Sequence, residues 1–132
     1  MITANAKWDR ELRFEGVADT AYTVMMDGDS KVANSPMQLV LIALCGCTAV
    51  DVVNILQKKR EPFTTVEVSA EAEKATTPPR VFTKIKLRYR VGGKVSRNAV
   101  DHAVRLSEEK YCSVAAMLHQ AAKISYEIYL DG

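Results

Sequence analysis

Three cysteines are the residues in this chain most able to do chemistry. Cys45 and Cys47 stand two apart in "PMQLVLIALCGCTAVDVVNILQKKR", and Cys112 lies far away in "EEKYCSVAAMLHQ". Thiols in a protein can bind metal, form disulfides or undergo redox exchange. A structural zinc site needs four ligands, and beyond the C-x-C pair only Cys112 and the distant His102 and His119 remain, so the C-x-C is not read as a zinc motif. The pair also cannot act as a unit on a helix. At about 100° per residue, positions two apart point roughly 200° from each other. Cys45 falls with Leu41, Ala49, Val52 and Leu56, an apolar stripe that makes it a small core residue. Cys47 falls with Val40, Ala43, Asp51, Asn54 and Lys58, a stripe that turns polar from the thiol onward. Phase alone leaves functional and packing roles for Cys47 both open.

If a helix begins at Ser113, Cys112 sits at its N-terminal end, where partial positive charge lowers a thiol pKa. A half-buried joint residue is the equal alternative. His119 shares its face but lies about 10 Å along a helix, so it is read as a packing or surface histidine rather than an activating base. His102, beside Asp101 and near Arg105, is expected to be solvated. Two thiols distant in sequence suggest a dithiol pair. A peroxide-reducing site needs an attacking thiolate, a second thiol to resolve the sulfenic acid, and a positive group to hold the thiolate.

The 132 residues suit one domain, long enough to bury roughly two-thirds of the surface of the unfolded chain. With 48% hydrophobic and 26% charged residues the composition is that of a soluble globular protein, and a net charge of +2 gives no case for nucleic acid or an anionic membrane. The opening "MITANAKWDRELRF" lacks a charged-then-apolar export pattern. The expected compartment is therefore the reducing cytoplasm, where the cysteines are free thiols and not a disulfide framework.

The elements that must position the thiols follow from periodicity. Residues 2–8 alternate as a strand, a second strand runs around Glu11–Glu15, and a third at Ala21–Met26 ends in the turn "DGDS". That turn lacks the spacing and final Glu of a calcium loop. Ser35 and Pro36 open a long helix that ends at Lys58, Lys59 and Arg60 before Pro62. Leu39–Leu56 is at the lower length limit for crossing a bilayer, but Cys45, Cys47, Thr48, Asp51 and Asn54 inside it favour a buried helix of a soluble protein. Val66, Val68, Ala70 and Ala72 alternate with Glu67, Ser69, Glu71 and Glu73. Thr83, Ile85, Leu87, Tyr89 and Val91 alternate with Lys84, Lys86, Arg88 and Arg90. As hairpin partners these put an acidic stripe against a basic one, which explains the basic stripe without nucleic acid. Ser96 caps a helix through about Lys110, a second helical run follows Cys112, and Ile124–Leu130 is a last strand. Hairpins with segregated helices give an α+β fold.

At "SPMQLVLIALCGCTAVDVVNILQK" and "EKYCSVAAMLHQA" the sequence resembles the OsmC/Ohr family of thiol-dependent peroxidases, more closely its OsmC-like branch of the YhfA type. The resemblance runs from the "KW" near the start through the final strand, so that residues 1–132 read as a single OsmC-like domain. In that family the peroxidatic Cys stands eleven residues after a Pro, and counting from Pro36 reaches Cys47. The second Cys, at a helix start before the last strand, corresponds to Cys112. The resemblance implies antiparallel sheets wrapped around long central helices in an intertwined homodimer, with the thiols at the subunit interface. It implies no bound cofactor or metal, an organic hydroperoxide as substrate, and a lipoyl-type dithiol as reductant. Where catalytic members carry a Glu after the Pro, this chain has Met37, followed by Gln38. The Arg that would pair with that Glu has only Arg10 and Arg13 as candidates, and Ser113 replaces a usual Pro. Asp51, one turn after Cys47, would raise a thiol pKa. The alternative is an OsmC-like protein that binds a small apolar molecule or senses redox state without turning over peroxide.

Overall fold

The computed structural model describes Met1–Asp131, and the chain forms two compact units, Met1–Ile42 and Ala43–Gly132. In the first unit, β1 (Ala4–Arg10), β2 (Arg13–Ala18) and β3 (Thr23–Asp27) form an antiparallel sheet in sequence order. Trp8, Phe14 and Met26 stand in cross-strand register on one apolar face, followed by Ala6, Gly16 and Val24. A Cβ at Gly16 would lie 2.9 Å from Met26 Cε, so a larger residue there would displace the end of the Met26 side chain. Within the turn expected at "DGDS", the buried Asp27 carboxylate accepts N–H groups of Asp29, Lys31 and Val32 at 2.9, 3.2 and 3.1 Å. Those bonds, the Asp29 N–H first, hold its pKa below the ordinary carboxylate value.

The long helix α1 (Pro36–Lys58) starts as its sequence requires. The Gln38 N–H donates to Ser35 Oγ at 3.1 Å, and the Ser35 N–H donates to Gln38 Oε1 at 2.8 Å. This reciprocal pair satisfies two of the free N–H groups at the helix start.

In the second unit, β5 (Phe82–Gly93) is the centre of a sheet between β4 (Phe63–Lys74) and β6 (Lys123–Asp131). Ile85, Leu87, Tyr89 and Val91 are buried on one face, as alternation requires. At the strand entry Phe82 rather than Thr83 is buried, beside an irregularity in the β4 pairing. The acidic and basic stripes do face each other, with Glu67 opposite Arg90 and Glu71 opposite Lys86. Arg88 pairs with Glu71, and Lys86 and Arg90 also reach β6, at Glu127 (2.6 Å) and Asp131 (3.6 Å). The basic stripe is thus flanked by acid on both sides.

One pairing departs from the antiparallel expectation. Strand β6 runs parallel to β5, because the helices between them carry the chain back to the starting end of the sheet. Helix α2 (Arg97–Leu106) is capped by Ser96, whose side chain accepts the Ala99 N–H, and buries Val100, Ala103 and Val104. It does not run on to Lys110 as α-helix. Ser107–Tyr111 form a wider π-type turn in which the Cys112 N–H donates to the Ser107 carbonyl at 2.9 Å. Cys112 then caps the short helix α3 (Ser113–Leu118).

Leu87 is fully buried at the centre of this sheet. Leu87→Ala should lower the unfolding free energy by about 2–5 kcal/mol, and Ser35→Ala by about 1 kcal/mol. Denaturant titration of both variants against wild type checks the ranking.

Candidate functional site

The site is built in the second unit by α1, β5 and the π-type turn. The stripe that α1 buries is Leu44, Thr48, Val52 and Leu56, spaced four apart. Cys45 and Ala49 flank it and are only half-buried, so Cys45 is not the core residue its stripe suggested. The rotation is set by Thr48, a polar residue that phase counting among apolar neighbours could not single out. Its hydroxyl lies 2.6 Å from Tyr89 Oη and 2.6 Å from Ser107 Oγ, and all three side chains are fully buried. Such hydroxyls are costly to bury unless they are paired. The Ser107 hydroxyl is hydrogen-bonded to Asp51 Oδ2 at 2.8 Å, and the Tyr89 hydroxyl is hydrogen-bonded to the Glu108 carboxyl.

This rotation leaves Cys47 half-buried on the side of α1 that carries Asp51, in line with the phase argument. Cys112 is buried, and its sulfur accepts the Ala115 N–H at 3.4 Å. Cys47 lies near enough to Cys112 to raise the pKa of its thiol. Both are free thiols. The two cysteines singled out in the sequence are therefore brought together, and Cys45 is apart from them by helical phase.

The electrostatics reverse one expectation. Cys112 does cap a helix, but its pKa is pushed up to about 12. Burial is the main cause; the Ala115 N–H opposes it, while Cys47 and the negative charge of Asp51 add to it. Helix α3 has six residues, too few for its N-terminus to outweigh desolvation. Burial also raises the Cys45 thiol. Glu108 is raised by burial, against the opposing effects of Tyr89 and His119. His119 thus acts electrostatically on Glu108, an influence that helical spacing from Cys112 gave no means of finding. Tyr89 is raised by burial and by Glu108. Of the candidate arginines, Arg10 pairs with Asp9 at 3.8 Å and Arg13 with Glu11 at 3.7 Å, with Arg13 also acting on Asp27. Sequence reasoning missed Thr48, Tyr89, Ser107 and Glu108 as site residues. The one available signal was the inward position of Tyr89 on β5, since a buried phenol needs a partner.

Residues 12–127 match the family described as OsmC-like protein. The chain belongs to the OsmC-like family. It is 46% identical to Protein YhfA of Escherichia coli over 131 residues, which cover 96% of this chain and 98% of that protein. A crystal structure of a hypothetical protein from Aquifex aeolicus superposes with a TM-score of 0.87 at 28% identity, covering 100% of this chain and 98% of that one. The organic hydroperoxide resistance protein OsmC from Legionella pneumophila shares the fold at a TM-score of 0.72 and 14% identity, covering 98% of this chain and 96% of that one.

The fold holds the Cys112 proton more tightly than the unfolded chain, whose thiol titrates near 9.0. This thiol's contribution to stability is complete below about pH 9 and declines as pH rises toward 12. Iodoacetamide labelling of Cys112 in the folded protein, read by mass spectrometry, should be slow at pH 9 and still increasing above it; a plateau near 9 would contradict this environment.

Proposed function

We propose that this OsmC-like protein is a thiol redox protein that reduces organic hydroperoxides through Cys47 and Cys112. The observation that carries the reading is the proximity of these two free thiols, from distant parts of the chain, with Cys47 near enough to raise the pKa of Cys112. Membership of the OsmC-like family supports a redox or stress-related role. In the first step the Cys47 thiolate attacks the peroxide oxygen. The O–O bond breaks, an S–O bond forms, and the departing alkoxide takes a proton to leave as alcohol. In the second, Cys112 gives up its proton and its sulfur attacks the sulfenic acid, so that a Cys47–Cys112 disulfide forms and water leaves. A small dithiol of the lipoyl type restores both thiols by exchange and is itself oxidised to a disulfide. The chemistry needs no bound cofactor and suits the reducing cytoplasm.

A second reading has its own support. Met37 stands where catalytic members carry Glu, which favours a protein that binds an apolar molecule or senses redox state without turnover. Single-turnover oxidation separates the two. Cumene hydroperoxide should yield a rapid Cys47–Cys112 disulfide, unchanged by Cys45→Ser and abolished by Cys47→Ser or Cys112→Ser. Slow or absent bonding in wild type selects the binding reading.

The working form is a homodimer. Ile42 is 51% exposed and Val50 59% exposed on the same face of α1, and Trp8 is 62% exposed on the apolar face of the first sheet. Apolar faces of this kind are suited to burial against a second copy of the chain. Val50→Asp should shift the protein from twice the chain mass to the single chain in sedimentation equilibrium, while an unchanged mass would remove α1 from the interface.

A further inference from the structure

The buried hydroxyls beside the thiols pose a counting problem. Four contacts join five side chains in a row, Asp51 to Ser107, Ser107 to Thr48, Thr48 to Tyr89, and Tyr89 to Glu108. Each contact needs one proton between its two oxygens. The three hydroxyls carry three protons, and ionised carboxylates carry none. If both ends are ionised, Ser107 and Tyr89 both donate outward and Thr48 has one proton for two neighbours. One 2.6 Å oxygen pair would then face each other with lone pairs only. Ser107, Thr48 and Tyr89 are fully buried, so such a mismatch has the full cost of an unpaired polar group.

We propose that Asp51 and Glu108 share one additional proton through Ser107, Thr48 and Tyr89, so that the row is a proton relay with two senses. In one sense the Glu108 carboxylic acid donates to Tyr89, Tyr89 to Thr48, Thr48 to Ser107, and Ser107 to the Asp51 carboxylate. In the other every bond is reversed and Asp51 carries the proton. Passing from one sense to the other moves each hydroxyl proton one place along; no proton is gained or lost.

The ends face different charges. Asp51 acts on Cys112 and lines an open groove with Lys58, Lys59 and Tyr111. Glu108 faces Tyr89 and His119. The sense of the relay therefore sets whether a negative charge stands beside Cys112. With the proton on Asp51 that charge is gone and Cys112 loses its proton more readily; this consequence rests on the redox reading above, but the shared proton does not.

Infrared spectroscopy of the reduced protein at neutral pH tests the shared proton without any peroxide. Wild type should show the C=O stretch of one protonated carboxyl, shifted in D2O. Thr48→Val, nearly the same shape, leaves two hydroxyls for two contacts, so both carboxyls ionise and the band should be lost. Thr48→Ser keeps the hydroxyl and should retain it, and Glu108→Gln, whose amide can donate to Tyr89, should remove it. Absence of the band in wild type overturns the proposal. So does a band that survives in Thr48→Val, because a carboxyl protonated by burial alone would not depend on that hydroxyl.

Discussion

The hydroxyl of Thr48 is the constraint on which the rest of the site depends. It is buried on α1 and reaches a residue of β5 and a residue of the turn after α2, so three separated parts of the chain meet at one oxygen. An apolar helix can rotate against a sheet at modest cost, since one aliphatic contact replaces another. A buried hydroxyl cannot, because rotation would leave it and both partners unpaired. Thr48 therefore fixes the angle of α1. Cys47 and Asp51, its neighbours in sequence and one turn on, take their places from that angle.

The π-type turn does the corresponding work from the other side. In this turn the consecutive residues Ser107 and Glu108 meet Asp51 and Tyr89 respectively, and the turn ends at Cys112, which Cys47 lies near enough to influence. Cys112 is then governed by burial rather than by the short helix it caps. Desolvation of a thiolate grows with the loss of water on all sides, whereas the N-terminal field of a six-residue helix is one favourable contact.

Outside the site, charge and apolar surface are used in opposite ways by the two sheets. On the sheet of the second unit, the outward basic residues of β5 lie between acidic partners on β4 and β6, so the stripe is compensated where it stands. Exposed pairs of this kind add little stability, and their effect is to settle register and remove a free basic face. The sheet of the first unit instead presents Trp8 and Val24 on an exposed apolar face. The contrast marks which surface is finished within the chain.

Much of this was legible in the residues. Alternation placed β4, β5 and β6, Ser35-Pro36 and Ser96 marked helix starts, and helical phase separated Cys45 from Cys47, because these are local signals with periods of two and 3.6. The counting resemblance from Pro36 pointed to Cys47, and the match over residues 12–127 supports the family behind that count. What only the tertiary structure decided is what depends on distance between remote residues. The proximity of Cys47 to Cys112, the burial that reverses the expected pKa of Cys112, the parallel path of β6, and the row from Asp51 to Glu108 all belong here. Desolvation and hydrogen bonding act between whatever groups the fold brings together, and no local period in the sequence encodes which groups those are.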